Sequence, residues 1–454
     1  MFNKNLNYLT FIGIHIALAV IIFIAPFLSN VYAILTIVLG IFFVVNRENK
    51  NHEALLVCSY IVGSEVFVRA THGAFFYEFA KYGIILVLFV GMLFRGIAQN
   101  AFVFWLYLIL LIPSTILAFF VLDVSSEDRK VISFYISGPV CLGISALYCY
   151  QRKVSIETMQ NIVIAIGLPL VSLVTYLVIF NPSVKEVITG TDSNFSTSGG
   201  FGPNQVSTAL GLGVFIFIVR MLLESRNRLL LFCNFAIAAL LAYRGIVTFS
   251  RGGMFTSIAM IVVLLANLYY VSNYKAKAKL TLIIIVLFVA AVSIWTYSSL
   301  QTSGLIDKRY ANQDATGKVK ESQLSGREEL SENEIKMFFE NPVLGVGVGR
   351  SPQIRKQDLR VDVASHNEIT RLLAEHGSLG VLMLLILALT PIILFFKNKK
   401  NFFILPFLVF WALTINHAAM RTAAPAFVYA LALLKVNVAR TAPAKIINNN
   451  KIKN

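Results

Sequence analysis

The feature that most constrains this chain is a succession of long apolar segments that carry no charge. Several run for about 17–22 residues, which is the length of an α-helix that crosses a hydrocarbon core about 30 Å thick. Hydrophobic residues make up 57% of the 454 residues and charged residues 14%, whereas soluble globular proteins carry about 25% charged residues. The sequence therefore predicts an all-α polytopic membrane protein.

The apolar segments predict about 12–14 transmembrane helices, because fourteen candidate spans can be marked and several of them are short. The candidate spans are 8–28, 31–46, 54–69, 76–95, 101–121, 131–149, 160–181, 206–223, 229–249, 253–270, 279–298, 378–396, 401–416 and 421–435. The first apolar run, TFIGIHIALAVIIFIAPFL, is expected to be a retained anchor, because no small-residue cleavage site stands out beside it.

The basic residues predict the orientation of the chain. The net charge is +16, but the lysines and arginines cluster in short connections between apolar segments, as the positive-inside bias predicts. With the N-terminus inside, nearly every basic cluster falls on one side, from Arg47 and Lys50 to the tail after Arg440. We therefore expect both termini to be cytoplasmic, with membrane lipids and not nucleic acid as the surrounding partner.

This topology divides the chain into five parts. They are N-terminal helices at 1–190, helices with an SRGG motif at 191–298, an extracytoplasmic loop at 299–377, C-terminal helices at 378–435 and a basic cytoplasmic tail at 436–454. Within the loop, REELSENEIKMFFE predicts an amphipathic helix that ends at Asn341-Pro342, and VLGVGVG follows with three alternating glycines. A long loop with its own helix and an ordered glycine pattern is typical of a functional segment.

The segment SHNEITRLLAEHGSLG at 365–380 places polar residues directly before a predicted span. Ser365 and Glu368 have the spacing of a capping box, which predicts a helix whose first residue is His366. At a helix N-terminus, free N–H groups and the dipole favour an anion and disfavour imidazolium. His366 is therefore a candidate general base, although the same position also suits a histidine that only caps or packs.

The rest of this segment predicts how the helix is stabilised and where it ends. Glu368, Arg371 and Glu375 follow at three- and four-residue intervals, which predicts a self-paired polar stripe. Gly377 is expected to end the helix. His376, just before that glycine, is predicted to face solvent.

Arg251 lies in TFSRGG, at the predicted outer end of a span and on the side that the positive-inside bias disfavours. Its guanidinium is suited to clamp a phosphate group in bidentate fashion, and Gly252 and Gly253 allow close approach of the backbone. Alternatively, Arg251 reaches lipid phosphates and has no catalytic role. Arg327 opens the predicted loop helix and is, by itself, a surface arginine.

Other polar residues are expected near the same outer face. Glu65 and Arg69, four residues apart at the end of the third span, are candidates for lining a substrate pocket or for a local ion pair. Further candidates for binding phosphate or glycan are Arg244, Arg350, His417 and Arg421.

Read together, these motifs resemble those of the O-antigen ligase and O-antigen polymerase superfamily. His366-Asn367, followed after nine residues by Gly377-x-x-Gly380, is similar to its H-N-x9-G-x-x-G signature. The upstream motifs are similar in order: GFGPN with Asn204, SRGG, the loop helix that opens with Arg327, and NPVLGVGVG. The resemblance covers residues 195–430.

The resemblance implies a metal-independent, inverting glycosyltransferase on the periplasmic face of the bacterial inner membrane. The donor would be a glycan on undecaprenyl diphosphate, and no cofactor is implied. Arg251 and Arg327 match the arginines that engage the diphosphate, and His366 matches an essential histidine proposed as the base. Asn204 and Asn367 lie in the matching motifs and are candidates for binding substrate. The outer segments contain no D-x-D motif, which agrees with metal independence.

The sequence leaves two questions of function open. Ligases move the glycan to lipid A core or to a protein, whereas polymerases join repeat units to a growing glycan, and both share the signature. The alternative from another class is a lipid-linked oligosaccharide flippase. That function predicts charged or broken helices near the bilayer midplane and an internal repeat. Here the distinctive charges concentrate at one face, and no repeat is evident.

Overall fold

The computed structural model describes residues 4–98, 100–121, 126–225, 227–320, 327–358 and 365–437. The helices of these residues, in chain order, are α1 (Lys4–Ile24), α2 (Leu28–Asn46), α3 (Glu53–Ala70), α4 (Phe79–Arg95), α5 (Phe102–Leu110), α6 (Ile112–Val121), α7 (Ser126–Cys149), α8 (Ile156–Phe180), α9 (Val184–Val187), α10 (Pro203–Leu223), α11 (Arg228–Ile246), α12 (Arg251–Val271), α13 (Tyr274–Gln301), α14 (Leu305–Tyr310), α15 (Arg327–Glu340), α16 (Ser351–Asp358), α17 (Glu368–His376), α18 (Ser378–Lys397), α19 (Ile404–His417) and α20 (Ala424–Leu431). The predicted basic tail lies outside the described residues from 438 onward.

The predicted all-α polytopic architecture is confirmed. In the described part of the chain, ten helices are long and apolar enough to cross a membrane. Each predicted span coincides with a helix or with the pair α5 and α6, but the last one is shorter than predicted. Helix α20 ends at Leu431 because the chain then leaves it to form a strand.

That strand belongs to a small parallel pair that the sequence did not predict. Strand β1 (Lys153–Ser155) pairs with strand β2 (Lys435–Asn437). The Lys435 amide donates to the Arg152 carbonyl at 3.0 Å, beside the sheet. The connection before α8 is thereby fixed to the segment that follows α20.

Helix α10 forms the centre of the helical core. Its apolar window is 83% buried, whereas that of α13 is 6% buried, so α13 turns most of its surface to lipid. Helices α10 and α12 cross closely: a Cβ at Gly211 would lie 2.4 Å from the Gly253 carbonyl oxygen, and one at Gly253 would meet the Ser207 backbone at 2.3 Å. Only small residues permit such an approach between membrane helices. The crossing brings the start of α12 next to the start of α10.

In the external loop, α15 has the bounds that the sequence predicted and ends before Pro342. The glycine segment, residues 345–349, follows it, and its three glycines have φ of 69°, 94° and 75°. The Val346 amide donates to the Ala374 carbonyl at 2.9 Å, and the Gly347 amide to the Glu375 carbonyl at 3.2 Å. Those carbonyls lie in the last turn of α17, where a helix leaves acceptors unsatisfied. The glycine segment therefore caps α17.

Candidate active site

His366 lies just before α17 and not inside it. The helix begins at Glu368, and Asn367 is its N-cap, with Oδ1 accepting a hydrogen bond from the Ile369 amide at 2.9 Å. Ser365, the predicted cap, turns its hydroxyl to the Asn367 carbonyl at 3.0 Å. The predicted helix start was therefore wrong by two residues, because asparagine is itself a strong N-cap residue. The capping bond gives the Asn367 side chain a structural task.

A buried network fixes the backbone on both sides of His366. Glu334 of α15 forms a fully buried ion pair with Arg355 of α16, at 2.6 Å between Oε1 and Nη1. The second carboxylate oxygen accepts hydrogen bonds from Thr370 Oγ1 at 2.6 Å and from Ser365 Oγ at 3.2 Å. Burial raises the pKa of Glu334. One carboxylate thus connects two loop helices to the segment that carries the histidine.

The charged residues of α17 form the predicted self-paired set, and the whole set is buried. Arg371 forms ion pairs with both Glu368 and Glu375. Glu375 also accepts hydrogen bonds from the Gly349 amide and the Ser351 hydroxyl, each at 3.0 Å. One guanidinium thus faces two carboxylates, and burial raises the pKa of Glu375 to about 7. These contacts attach α17 to the glycine segment and to α16.

The prediction that His376 faces solvent was wrong. The side chain is fully buried, and neither ring nitrogen has a hydrogen-bond partner among the described residues. Burial, together with the positive charge of Arg371, lowers the pKa of His376 to about 3. Its position at the end of α17 lies beneath the glycine segment, where a Cβ at Gly345 would meet the His376 amide nitrogen at 2.5 Å. His376 is therefore a neutral residue of the loop's core.

The SRGG motif lies against the start of α10. Ser250 Oγ donates to Asn204 Oδ1 at 2.7 Å, and Ser207 Oγ donates to the Ser250 carbonyl at 2.8 Å. Arg251 follows as the first residue of α12. Since the Asn204 amide oxygen accepts from Ser250, its NH2 group is left to donate to a ligand oxygen.

A second arginine, which the sequence analysis did not single out, lies beside Arg251. Arg251 Nη1 donates to the Arg309 carbonyl at 3.4 Å, and Arg309 Nε donates to the Phe249 carbonyl at 3.0 Å. The nearby charge of Arg251 adds to burial in lowering the pKa of Arg309. The carboxylate that pairs with Arg309 is Asp192, which is 3.9 Å away, 86% exposed and closer to Lys320 at 2.7 Å. Such a long, exposed pair offsets little of the positive charge.

His417 packs directly on the SRGG motif. A Cβ at Gly252 would lie 2.4 Å from its Cδ2 atom. Its Nδ1 is 2.7 Å from the Leu413 carbonyl oxygen, so Nδ1 carries a proton, and its Nε2 is 3.2 Å from Thr208 Oγ1. The absence of a side chain at Gly252 thus makes room for an imidazole. Gly253 serves the helix crossing instead.

Glu65 and Arg69 form the local ion pair that their spacing allowed, at 2.7 Å between Arg69 Nη2 and Glu65 Oε1. The pair also holds the turn between α19 and α20. Glu65 Oε2 accepts from the Ala423 amide at 2.7 Å, and Arg69 Nη1 donates to the Arg421 carbonyl at 3.1 Å. Arg421 Nη2 donates in turn to the Ser365 carbonyl at 3.1 Å. These bonds connect α3, through the turn, to the segment that carries the candidate base.

Arg244 has a structural role, contrary to the prediction that it binds phosphate. Its side chain is buried and donates to the carbonyls of Leu177 at 2.8 Å, Asn181 at 3.1 Å and Thr197 at 3.2 Å. It therefore ties the end of α8 to the segment that precedes α10. The sequence placed Arg244 near the outer end of a span but could not show that three carbonyls surround it.

The two remaining predicted arginines lie in the external loop. Arg350 precedes α16 and is half-buried, and its guanidinium forms no hydrogen bond within the described part of the chain. Arg327 is the first residue of α15, as predicted, but its side chain lies outside the described part. Within the described residues, no three His, Cys, Asp or Glu side chains are grouped to hold a metal ion.

Comparison with known families identifies the part of the chain that holds these residues. Residues 236–385 match a family model described as O-antigen ligase. The match runs from α11 to α18 and includes Arg251, Arg309 and His366. No match to a curated protein was found. Together with the membrane-spanning helices, the family match identifies, in general terms, a membrane glycan ligase or polymerase. This multi-pass membrane protein carries the domain of the O-antigen ligase and polymerase superfamily.

Proposed function

We propose that this protein transfers or polymerises glycan from an undecaprenyl-diphosphate-linked donor at the periplasmic face of the bacterial inner membrane. The observation that carries the proposal is the pairing of Arg251 with Arg309 at the outer end of α12. Two guanidinium groups side by side, with only a distant and exposed carboxylate on one of them, suit an anion with more than one charge. In this topology both termini are cytoplasmic.

The proposed leaving group explains why arginines are needed. A diphosphate departs with concentrated negative charge, and preorganised donors stabilise that charge best where it develops. Arg251 contacts the diphosphate, Arg309 adds positive potential beside it, and Arg327 is the second diphosphate ligand by family resemblance. The Asn204 amide group, fixed by Ser250, donates to the same ligand. This arrangement performs the role that a divalent metal has in many glycosyltransferases.

The proposed base is His366. Its imidazole takes the proton of the acceptor hydroxyl while that oxygen attacks the anomeric carbon, and the bond from this carbon to the diphosphate oxygen breaks. Attack occurs on the face opposite the diphosphate, so the anomeric configuration inverts. The Glu334 network and the Arg421 contact hold the backbone beside this residue, which supports a fixed position for the base. The acceptor is a growing glycan, lipid A core or a protein.

The test is complementation of a deletion strain with the wild type, His366→Ala or Arg251→Ala, with surface glycan resolved by length. Arg228→Ala is the matched control, because Arg228 is the exposed first residue of α11 at the opposite end of the bundle. Loss of long glycan in the two site variants, with normal protein levels and a normal control, supports the proposal. Wild-type glycan in both site variants would refute it.

The glycan in the deletion strain distinguishes the reactions. Single repeat units attached to the acceptor identify a polymerase, and full-length chains left on undecaprenyl diphosphate identify a ligase. A donor that accumulates only on the cytoplasmic side identifies a flippase and contradicts the proposal.

A further inference from the structure

A large cavity lies at the other end of the helical bundle, away from the candidate active site. Its volume is about 1310 Å³, which exceeds the range of about 300–1,000 Å³ typical of pockets for drug-sized ligands. Arg220, near the C-terminal end of α10, lines it, whereas Asn204 of the candidate site lies at the N-terminal end of the same helix. The cavity has no part in the proposed reaction.

The cavity opens between two helices that diverge. Helices α1 and α2 are joined by residues 25–27, yet α1 packs mainly on α8 whereas α2 packs on α3 and α4. The sides of the cavity are apolar and uncovered: Phe11, Ile14, Leu35 and Leu39 line it and are 44–56% exposed. Water gains few hydrogen bonds beside such side chains. In a bilayer, hydrocarbon chains therefore fill this space.

The polar side chains in the middle of the cavity are paired with one another. His15 Nδ1 lies 2.7 Å from the Phe11 carbonyl oxygen, and its Nε2 lies 3.0 Å from the Tyr60 hydroxyl. The Tyr32 hydroxyl donates to Tyr60 at 3.0 Å. A ligand need not offer polar atoms at this depth, so these residues are compatible with acyl chains.

Charged side chains stand at one end of the cavity. Arg220 forms an ion pair with Glu224 at 2.7 Å and lies over the ring of Tyr8, 4.1 Å from its centre. Glu157 is a second carboxylate in the lining. This end thus presents one guanidinium and two carboxylates. It complements a headgroup that combines a phosphate with a primary ammonium, because Arg220 can bind the phosphate and the carboxylates can accept from the ammonium.

We propose that this cavity binds one phospholipid with a primary-amine headgroup, taken from the leaflet opposite the candidate active site. The acyl chains lie between α1 and α2, and the headgroup meets Arg220 and the two carboxylates. The bound lipid fills the gap that the diverging helices leave. A purely anionic headgroup fits less well because the lining carries an excess of carboxylates, and a choline headgroup has no N–H to donate.

Native mass spectrometry of the full chain, purified in mild detergent, delipidated and then offered defined lipids, tests the proposal. The lipids are phosphatidylethanolamine, phosphatidylcholine and phosphatidylglycerol with identical acyl chains. One phosphatidylethanolamine is expected to bind about tenfold more tightly than the others, as one charge-assisted hydrogen bond would give. Equal binding of the three, preferred binding of another headgroup or retention of a polyprenyl lipid from the membrane overturns the proposal.

Two tryptophan variants of α2 locate the bound lipid. Leu39→Trp fills the cavity and is expected to lower lipid retention about tenfold, to the level of a lipid that lacks the charged contact. Val38→Trp is the matched control, because Val38 is 53% exposed on the same helix but does not line the cavity. If Leu39→Trp does not elute as a folded protein, Ala165→Trp on α8 fills the same cavity. Retention that no cavity-filling variant changes overturns the proposal.

Glu157→Gln tests the headgroup separately, because this exposed side chain can lose its charge without disturbing the core. The variant is expected to lose most of the preference for phosphatidylethanolamine over phosphatidylglycerol and to retain total lipid binding. An unchanged preference contradicts the role of the carboxylates. None of these measurements uses glycan transfer, so the result is independent of the proposed function.

Discussion

Gly252 and His417 are in direct contact, although 165 positions of chain separate them: a Cβ on the glycine would lie 2.4 Å from the imidazole Cδ2. The imidazole is held on its other side by the Leu413 carbonyl, and its Nε2 is next to Thr208. It has little room to move away. The glycine is therefore the residue that lets α19 approach the start of α12, where Arg251 lies.

We predict that Gly252→Ala lowers glycan transfer by about 10²-fold, because a displacement near 1 Å at a catalytic group can cost that much. Protein level and thermal stability change little, since a side chain and not a backbone is displaced. Adding His417→Ala relieves the clash, so the double variant should be no worse than the poorer single variant. Additive losses in the transfer assay would contradict a shared cause.

The neighbouring glycine gives the opposite expectation. A Cβ at Gly253 would lie 2.3 Å from the Ser207 backbone, which cannot rotate away. We predict that Gly253→Ala lowers protein level and thermal stability, because α10 and α12 must separate. A Gly253→Ala protein that melts with the wild type, measured in detergent by intrinsic fluorescence, would show that the helices do not cross as closely as described.

Arg309 provides a test of the arginine pair. We predict that Arg309→Ala lowers kcat/KM for the lipid-linked donor by about 10²-fold, the usual effect of removing one preorganised donor. KM for the acceptor should stay close to that of the wild type. Arg228→Ala, at the other end of the bundle, is the control. If the acceptor KM rises as much as the donor KM, Arg309 supports the whole loop and not the diphosphate.

The three carbonyl contacts of Arg244 predict a defect in stability and not in chemistry alone. Arg244→Ala leaves three buried acceptors without a donor, each costing about 1–3 kcal/mol. Arg244→Lys should rescue little, because one ammonium cannot reproduce the fork of a guanidinium. The expected result is a lower protein level and melting temperature for both variants. Normal stability with lost donor binding would restore the phosphate-binding role.

The sequence predicted local features well because their causes are local. The bounds of α15 follow from its amphipathic pattern and from Pro342, and the Glu65–Arg69 pair follows from a four-residue spacing. Even here, the start of α17 was misplaced by two residues because Asn367 and Ser365 are both suitable caps.

Features that depend on distant parts of the chain could not be read from spacing. Arg309 was one of many charges in the loop until the fold brought it to Arg251. The burial of His376 depends on the glycine segment, and the early end of α20 depends on a strand nearly 280 positions away. In each case a contact across the fold decided the outcome.

The neighbours Glu375 and His376 should give opposite pH dependences of stability. The folded pKa of Glu375 is raised to about 7, so the folded state binds more protons than the unfolded state above pH ~4.5, and stability falls as pH rises to 7. The folded pKa of His376 is lowered to about 3, so stability rises as pH rises from 3 to ~6.5. In the wild type the two effects oppose each other between pH ~4.5 and 6.5.

Single variants separate these two contributions. Glu375→Gln removes the group that favours acid, so its melting temperature should fall more steeply than that of the wild type from pH 6.5 to 5. His376→Phe removes the group that acid destabilises, so its melting temperature should fall less or rise. The exposed Glu329→Gln on α15 is the control and should follow the wild type. Equal slopes in all four proteins would mean that neither buried group keeps its shifted pKa in the folded protein.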